Sequence, residues 1–324
     1  MLKEHFKLIS GTANQKLAEE VARILKVPLT PVEIKTFSDG EIYCRILESV
    51  RGADVYIIQP TSPDASLHLM ELLIMVDALK RSSPEKITAV IPYYGYARQD
   101  KKTKAREPIT AKLVANMLET AGVNRVIMFD VHVPQVQGFF DIPSDNLDAI
   151  PLFCDYIASK NAKDIVIVSP DAGGAAKVRS FAKVLNAPIA IIDKRRPEQN
   201  VAEVENVIGD VKGKTAFIVD DIIDTAGSIT EAAKILVKFG AKEVYAIATH
   251  GLFSGNAMEK IQKSPINEVV VTNTIGMPKE KMISKIKSVS IAQLLAEDIK
   301  RTHEGLPMGV VYEEMYKKLD RKRK

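Results

Sequence analysis

The chain has 324 residues, of which 46% are hydrophobic and 27% charged, a composition typical of a globular protein with roughly two domains. Its net charge of +4 is too small to indicate a nucleic-acid-binding surface, and two cysteines, Cys44 and Cys154, argue against a disulfide framework or a zinc site built from cysteines. The first residues lack the apolar core of a signal peptide, and no stretch approaches the ~20 apolar residues of a membrane span. We therefore expect a cytoplasmic protein that binds neither nucleic acids nor membranes.

Short apolar runs alternate with helical patterns along the chain. Because the runs are apolar on both faces, they are typical of parallel strands in a sheet that helices cover on both sides. In chain order, the predicted strands are residues 6–10, 54–59, 87–93, 125–131, 165–170, 189–193, 215–221, 244–250 and 268–273. Apolar residues recur at helical spacing in 14–26, 66–82 and 228–240, the last with Ser228 as a candidate N-cap and Gly240 just past its end. This alternation predicts an α/β fold.

The two halves of the chain resemble each other. GTANQKLAEEVARIL (11–25) and DAGGAAKVRSFAKVL (171–185) both follow a predicted strand and lead from a loop into a helix. This similarity predicts two copies of one α/β unit, with the boundary near the polar, proline-containing stretch PSDNLDAIPLF (143–153). In open parallel sheets, ligands bind beyond the carboxyl ends of the strands, so we expect the functional residues there.

The stretch FIVDDIIDTAGSI (217–229) places acids at the end of a strand and small residues at the start of a helix. Asp220, Asp221 and Asp224 are poor ligands for a phosphate but good partners for sugar hydroxyls or for Mg²⁺. Residues 225–228, Thr-Ala-Gly-Ser, supply hydroxyls and leave room for an anion at the helix N-terminus, where backbone N–H groups have no partner. A ribose phosphate satisfies both demands. The alternative is an Asp-rich N-cap without a ligand.

Two further strand ends carry candidate ligand-binding residues. In SPDAGG, Asp171 precedes Gly173 and Gly174, which permit the backbone to approach an oxyanion closely; a plain β-turn is the alternative. In DVHVPQ, His132 lies just past an apolar strand with Asp130 beside it. A lone histidine is more often structural, and Mg²⁺ prefers oxygen ligands, so the residues alone do not predict a metal site there.

A basic triplet follows the strand predicted at residues 189–193. Lys194, Arg195 and Arg196 precede Pro197 and a polar stretch, which indicates either a solvated loop or a flap that closes over a ligand. Phosphoryl-type transfer needs positioning and neutralisation of charge more than it needs a strong base. Cations on a closing loop would supply that neutralisation and exclude water.

In this order, these motifs resemble those of one enzyme family. The Asp-rich loop is similar to the loop that binds 5-phosphoribosyl 1-pyrophosphate in type I phosphoribosyltransferases, and segments between residues 6 and 305 resemble the ribose-phosphate pyrophosphokinases. These segments are KTFSDGEIYCRI (35–46), IPYYGYARQDKKTKAREPITAKL (91–113), QGFFDIPSDNL (137–147), SPDAGGAAKVRSFA (169–182), IIDKRRPEQNV (191–201) and THGLFSGNA (249–257). The resemblance implies two tandem phosphoribosyltransferase-like domains, each a mainly parallel sheet flanked by helices, at 1–146 and 147–301, with 302–324 packing back on the first.

The resemblance also implies the reaction, in which the β,γ-diphosphoryl group of ATP passes to the C1 hydroxyl of ribose 5-phosphate with Mg²⁺ as cofactor. The residues at matching positions are the catalytic Lys194 and Arg196; the ATP-binding Phe37, Asp39, Gly40, Glu41, Arg98, Gln99 and Asp100; the ribose 5-phosphate-binding Arg196, Asp220, Asp221, Asp224, Thr225, Ala226, Gly227 and Ser228; the diphosphate loop Asp171, Ala172, Gly173 and Gly174; and the metal ligands His132 and Asp171, with Asp130.

The ATP site rests on the resemblance alone, because the sequence has no Walker A pattern and no glycine-rich kinase loop. By itself, FSDGE (37–41) predicts a turn. In the family, this segment serves the site of a neighbouring subunit, so the resemblance implies a homo-oligomer built from dimers, namely a hexamer.

Three other functions are compatible with some of the same motifs. A phosphoribosyltransferase would use the Asp-rich loop but would not need FSDGE and the RQD of 98–100. A non-catalytic regulatory homologue would be expected to lack His132, Asp171, Lys194 or Arg196, and all four are present. A transcription regulator on this fold would carry a separate DNA-binding segment, and none is visible in the sequence.

Overall fold

The computed structural model describes residues 5–195, 204–278 and 283–323. The chain divides into two compact units: the first comprises Met1–Asp148, Asn273–Gly276 and Ser290–Gly309, and the second comprises Ala149–Thr272, Met277–Val289 and Val310–Lys324. The domain limits expected from the sequence stay predictions. None of the helices within the described ranges combines the length and the apolar character that a membrane crossing requires.

The first unit is built on a sheet of five parallel strands. In spatial order, with elements numbered along the chain, they are β1 (Phe6–Ser10), β4 (Asp54–Ile58), β5 (Lys86–Ile91), β6 (Arg125–Phe129) and β7 (Ser144–Leu147). A separate antiparallel hairpin consists of β2 (Val32–Thr36) and β3 (Ile42–Ile46). The helices are α1 (Gln15–Leu25), α2 (Ala65–Lys80), α3 (Thr110–Ala121), a 3₁₀ helix (Pro134–Phe139) and α8 (Ala292–Glu304).

The second unit is built on a sheet of seven strands. In spatial order they are β10 (Val204–Ile208), β9 (Ile189–Arg195), β8 (Ile165–Ser169), β11 (Thr215–Ile223), β12 (Glu243–Gly251), β13 (Glu268–Thr272) and β14 (Ile286–Val289). Every neighbouring pair is parallel except β10 with β9. The helices are α4 (Ile150–Ser159), α5 (Ala175–Leu185), α6 (Gly227–Lys238), α7 (Ala257–Lys263) and α9 (Gly309–Arg323).

Each sheet has its own apolar core, and the central strands are buried on both faces. In β4, Val55, Ile57 and Ile58 have no exposed surface, and in β11 the same holds for Phe217 and Ile218. Burial of this kind is what a continuous apolar run predicts. All nine predicted strands are confirmed, as are the three predicted helices to within two residues at either end. The carboxyl ends of the parallel strands therefore form one edge of each sheet, where the loops with unusual residues begin.

Candidate active site

The acids of the predicted ribose-phosphate loop lie at the carboxyl end of β11. Asp220 and Asp221 belong to the strand, which continues to Ile223, and Asp224 follows it. The carboxylate of Asp220 accepts a hydrogen bond from the backbone N–H of Asp221 at 2.8 Å. Burial, and after it the adjacent Asp221 carboxyl, raises the pKa of Asp220 to about 7, although the positive charge of Lys177 acts in the opposite direction. Near neutral pH, both the ionised and the protonated form of Asp220 are therefore populated.

The helix that follows these acids presents an open N-terminus. Ala226 has a φ of 59°, in the left-handed region, and no side chain caps α6, which begins at Gly227. Ser228 lies inside the first turn of the helix, so the prediction that it is the N-cap is wrong; the N-cap is Ala226, and the helix begins two residues earlier than the capping pattern suggests. Thr225 and Ser228 are both exposed. Two exposed hydroxyl-bearing residues thus flank a helix N-terminus that no side chain caps, an arrangement that suits an anion.

The predicted diphosphate loop follows β8, the strand that pairs with β11. Asp171, Ala172 and Gly173 are exposed, and one Asp171 carboxylate oxygen accepts from the backbone N–H of Gly174 at 3.0 Å. Gly174 has no room for a side chain, since an added Cβ would lie 2.5 Å from the Ser169 hydroxyl oxygen. Because β8 and β11 are parallel neighbours, their loops leave the same sheet edge side by side.

The basic residues lie on the next strand of the same sheet. β9 pairs with β8 and extends to Arg195, so Lys194 and Arg195 are the last residues of a strand, backbone-paired with β10, and do not begin a loop. The predicted strand end at residue 193 is two residues too early, because that prediction rests on the apolar run alone. Arg196, Pro197 and the rest of the predicted flap lie outside the described residues.

In the first unit, the predicted metal-binding residues follow β6. Asp130 is nearly buried and has a φ of 39°, and its backbone N–H donates to the carbonyl of Leu147 at 2.8 Å. The next N–H, that of Val131, donates to the side-chain carbonyl of Asn146 at 3.1 Å. His132 comes directly after this pinned turn and is exposed. Exposure weighs against a role as a histidine packed in the core.

The segment FSDGE forms the tip of the β2–β3 hairpin, so the predicted turn is confirmed. The backbone N–H of Gly40 donates to the carbonyl of Phe37 at 2.9 Å, and that of Phe37 donates to the carbonyl of Glu41 at 2.8 Å. Gly40 has a φ of 95°, which favours glycine. Phe37 is 54% exposed, and its ring contacts that of Tyr43 edge-on at 6.2 Å between ring centroids. Asp39 is exposed as well, so the tip presents an aromatic face and acids for recognition.

The second predicted ATP segment is a turn that follows β5. The backbone N–H of Gln99 donates to the carbonyl of Tyr96 at 2.9 Å, and the Gln99 side-chain carbonyl accepts from the Thr110 hydroxyl at 2.5 Å. Gln99 therefore ties the turn to the start of α3. Arg98 is exposed and Asp100 half-buried on either side of it.

The described residues contain no group of three or more His, Cys, Asp or Glu side chains that could hold a metal ion by themselves. This arrangement fits Mg²⁺, which commonly uses one or two carboxylates and completes its shell with water and substrate phosphates. The exposed Asp171 is such a carboxylate. His132 is a poorer match to the preference of Mg²⁺ for oxygen.

Comparisons with known proteins agree on the family. Residues 6–122 match the model of the N-terminal domain of ribose phosphate pyrophosphokinase, and residues 197–313 match that of the phosphoribosyl synthetase-associated domain. The chain is 58% identical over 309 residues to the ribose-phosphate pyrophosphokinase of Bacillus subtilis (strain 168), covering 95% of this chain and 98% of that protein. It is 56% identical over 307 residues to that of Bacillus caldolyticus, with 95% and 98% covered. The chain belongs to the ribose-phosphate pyrophosphokinase family.

A solved member of the ribose-phosphate pyrophosphokinase family has the same fold. The crystal structure of phosphoribosylpyrophosphate synthetase from Mycobacterium smegmatis superposes with a TM-score of 0.89 at 43% identity, covering 93% of this chain and 100% of that one. The predicted fold class, two α/β units with mainly parallel sheets flanked by helices, is confirmed.

One part of the site in this ribose-phosphate pyrophosphokinase family member escapes prediction from the residues. The loop after β12, within THGLFSGNA (249–257), contacts the predicted ribose-phosphate loop: the backbone N–H of Ser254 donates to the carbonyl of Asp224 at 3.0 Å. From α7, the Lys260 ammonium donates to the carbonyl of Thr225 at 3.3 Å. Both contacts join residues that are at least 30 positions apart, so no local sequence pattern predicts them.

Proposed function

We propose that this chain transfers the β,γ-diphosphoryl group of ATP to the C1 hydroxyl of D-ribose 5-phosphate, producing AMP and 5-phospho-α-D-ribose 1-diphosphate for nucleotide biosynthesis. The observation that carries the proposal is the β11–α6 loop, in which acids for sugar hydroxyls precede an uncapped helix N-terminus for a phosphate. It occurs in a chain that matches ribose-phosphate pyrophosphokinases over 95% of its length.

In this proposal, the second unit holds the acceptor. Asp220 and Asp221 bind ribose hydroxyls, and residues 224–228 bind the 5-phosphate through backbone N–H groups and hydroxyls. The C1 oxygen then attacks the β-phosphorus of ATP in line. A bond forms between these two atoms while the bond from the β-phosphorus to the bridging oxygen of AMP breaks, and the C1 hydroxyl proton is released.

The remaining groups neutralise charge and hold ATP. Lys194 and Arg196 stabilise the charge that develops on the transferring group, and residues 171–174 bind the diphosphate. Asp171 is a proposed ligand of Mg²⁺, which when bound would draw charge from the diphosphate. His132, with Asp130, is likewise a proposed metal ligand. Phe37, Asp39, Gly40 and Glu41 of the hairpin and Arg98, Gln99 and Asp100 of the turn are the proposed ATP-binding residues. We also propose a cytoplasmic homo-oligomer.

The decisive experiment is to incubate the purified chain with ATP, Mg²⁺ and ribose 5-phosphate and to separate the nucleotides by chromatography. AMP that forms only when ribose 5-phosphate is present supports the proposal. ADP would instead indicate an ordinary γ-phosphate kinase. Absence of nucleotide turnover would favour the non-catalytic regulatory homologue, and release of diphosphate from 5-phospho-ribose 1-diphosphate with a free base would favour a phosphoribosyltransferase.

A further inference from the structure

A buried threonine, Thr61, is hydrogen-bonded to the segment that leads into the proposed ATP-binding turn of the first unit. Thr61 lies just beyond the end of β4, the strand that pairs with β5. The residue is only 3% exposed. Its hydroxyl donates to the carbonyl of Tyr93 at 3.1 Å and accepts from the backbone N–H of Gly95 at 2.6 Å. Its own backbone N–H donates to the same Tyr93 carbonyl at 2.9 Å. Three hydrogen bonds from one residue therefore fix the chain where it leaves β5.

Gly95 packs so closely against Thr61 that no side chain fits between them. A Cβ added to Gly95 would lie 2.8 Å from the Thr61 hydroxyl oxygen and 2.9 Å from its carbonyl oxygen. The backbone of the turn therefore rests directly on Thr61. Only a group that donates and accepts at once serves both Tyr93 and Gly95, and a hydroxyl is such a group. Without it, the buried N–H of Gly95 would lose its hydrogen-bond partner.

The fixed segment leads straight to the exposed arginine. After Gly95 the chain makes a tight turn, in which the N–H of Ala97 donates to the carbonyl of Tyr94 at 3.4 Å, and Arg98 follows. The Tyr94 hydroxyl donates to the carbonyl of Ala111 at 3.0 Å on the other side. Hydrogen bonds to Thr61, before the turn, and to Ala111, at the start of α3, therefore fix the path of the chain that carries Arg98.

We propose that Thr61 is a positioning residue for ATP: it orients the turn that carries Arg98 toward the nucleotide phosphates without touching the nucleotide itself. This inference rests on the proposed function, because it takes Arg98 as an ATP ligand. A displaced turn weakens contacts to ATP and leaves contacts to ribose 5-phosphate, made by the second unit, unchanged. A residue needed only for stability would not separate the two substrates.

The test compares Thr61→Val, which keeps the shape and removes the hydroxyl, with Thr61→Ser, which keeps the hydroxyl. The matched control is Thr88→Val, a buried threonine near the start of β5. For Thr61→Val we expect KM for ATP to rise at least about fivefold while KM for ribose 5-phosphate stays within about twofold. Thr61→Ser and Thr88→Val should resemble the wild type. Circular dichroism and melting curves check folding, and Thr61→Ala is the second variant if the valine variant does not fold.

Several outcomes would overturn the assignment of Thr61. They are an unchanged KM for ATP in a folded Thr61→Val variant, an equal rise in both KM values, and failure of serine to restore the wild-type value. Calorimetric titration with ATP and Mg²⁺ separates this inference from the proposed function. If the wild type forms no AMP but binds ATP, and Thr61→Val binds it at least about fivefold more weakly, the proposed function fails and the role of Thr61 stands.

Discussion

Glu71 in α2 accepts two hydrogen bonds from Thr12 in the loop after β1, from the backbone N–H at 2.7 Å and from the hydroxyl at 2.6 Å. Glu71 is only 3% exposed, and it also accepts from the Gln59 side-chain amide at 2.7 Å. Gln59 in turn accepts from the backbone N–H of Ala13 at 3.2 Å. The loop between β1 and α1 thus already has a carboxylate and an amide on its N–H groups.

This contact distinguishes two loops that look alike in sequence. In the second unit, Asp171, Ala172 and Gly173 of the corresponding loop are exposed, and the Gly174 N–H is paired with the carboxylate of Asp171 within the loop itself. In the first unit, the N–H groups of Thr12 and Ala13 donate to the side chains of Glu71 and Gln59, and Asn14 caps α1 through the N–H of Leu17. The same strand–loop–helix unit therefore serves as a candidate binding loop in one copy and as a structural joint in the other.

We expect Glu71→Ala to destabilise the loop at residues 11–14 of the first unit. The substitution removes the acceptor of the Thr12 N–H and hydroxyl and leaves the buried Gln59 amide without its shortest hydrogen bond, at a cost of about 1–3 kcal/mol. Hydrogen exchange at residues 11–14 should therefore quicken by roughly tenfold or more, while exchange in the second unit stays unchanged. Glu71→Gln, which keeps one acceptor oxygen, should lie in between. Unaltered exchange in Glu71→Ala would contradict this account.

Sequence patterns predict the strands that are buried on both faces and miss the others. β3 alternates between half-buried and exposed residues, β2 has three half-buried residues followed by two exposed ones, and β7, with the sequence SDNL, is mostly polar. β14 has exposed positions in its middle. A search for continuous apolar runs passes over such strands, because edge strands and hairpins exist through their pairing with a neighbour and not through their own hydrophobicity.

The site shows the same division between local and distant information. Asp220, Asp221 and Asp224 were predictable because their chemistry and spacing are written in one short stretch. The contact of Ser254 with Asp224, thirty residues apart, and that of Thr61 with Gly95 arise only when neighbouring strands come together. The spacing of residues within one segment does not predict such contacts.

Replacing Lys194 by Ala tests the proposed charge neutralisation. Because a preorganised cation acts on the transition state, we expect turnover to fall by roughly 10²–10³-fold with little change in KM for ribose 5-phosphate. Steady-state assays of AMP formation measure both quantities. Lys183→Ala, on α5 in the same unit, serves as the control. Turnover close to that of the wild type would remove Lys194 from the mechanism.

Buried Asp298 of α8 makes the stability of the first unit depend on pH. Burial raises the pKa of Asp298 to about 7, and the charge of Asp145 adds to the effect while that of Arg125 opposes it. The folded chain thus holds a proton up to about pH 7, whereas the unfolded chain releases it near pH 4. The stabilisation is fully present below pH 4 and is lost as the pH rises to about 7, by at most about 4 kcal/mol.

Asp298→Asn should therefore remove part of the loss of stability between pH 5 and pH 8. Hydrogen exchange within α8, measured across this range, reports on the first unit without assuming that the whole chain unfolds in one step. Exposed Asp141→Asn is the control and should keep the wild-type slope. Equal slopes in the wild type and Asp298→Asn would contradict the prediction.

Lys285 stabilises the C-terminal end of α7 in the second unit. Its ammonium donates to the carbonyls of Ile261, Gln262 and Ser264 at 3.3, 3.2 and 2.9 Å. A cation at this end also interacts favourably with the helix dipole. We expect Lys285→Met to lower the free energy of unfolding by about 1–2 kcal/mol, with faster hydrogen exchange in α7. Exposed Lys287→Met should change neither quantity, and a variant as stable as the wild type would rule out the cap.

The raised pKa of Asp220 predicts how binding of ribose 5-phosphate depends on pH. Ionised, Asp220 accepts hydrogen bonds from sugar hydroxyls more strongly than when it is protonated. Since burial and the adjacent Asp221 raise its pKa to about 7, the affinity should increase as the pH rises from 6 to 8. Below pH 7, the dissociation constant should grow by up to about tenfold for each pH unit.

The phosphate of the ligand itself titrates near pH 6, so a single profile does not isolate Asp220. The informative quantity is the difference between the wild type and Asp220→Asn, in which the titration of the ligand cancels. Calorimetry at pH 6, 7 and 8 should show weaker binding by the variant, with the ratio of the two dissociation constants rising toward pH 8. Exposed Asp210→Asn is the control. A ratio independent of pH would mean that Asp220 does not change its charge over this range.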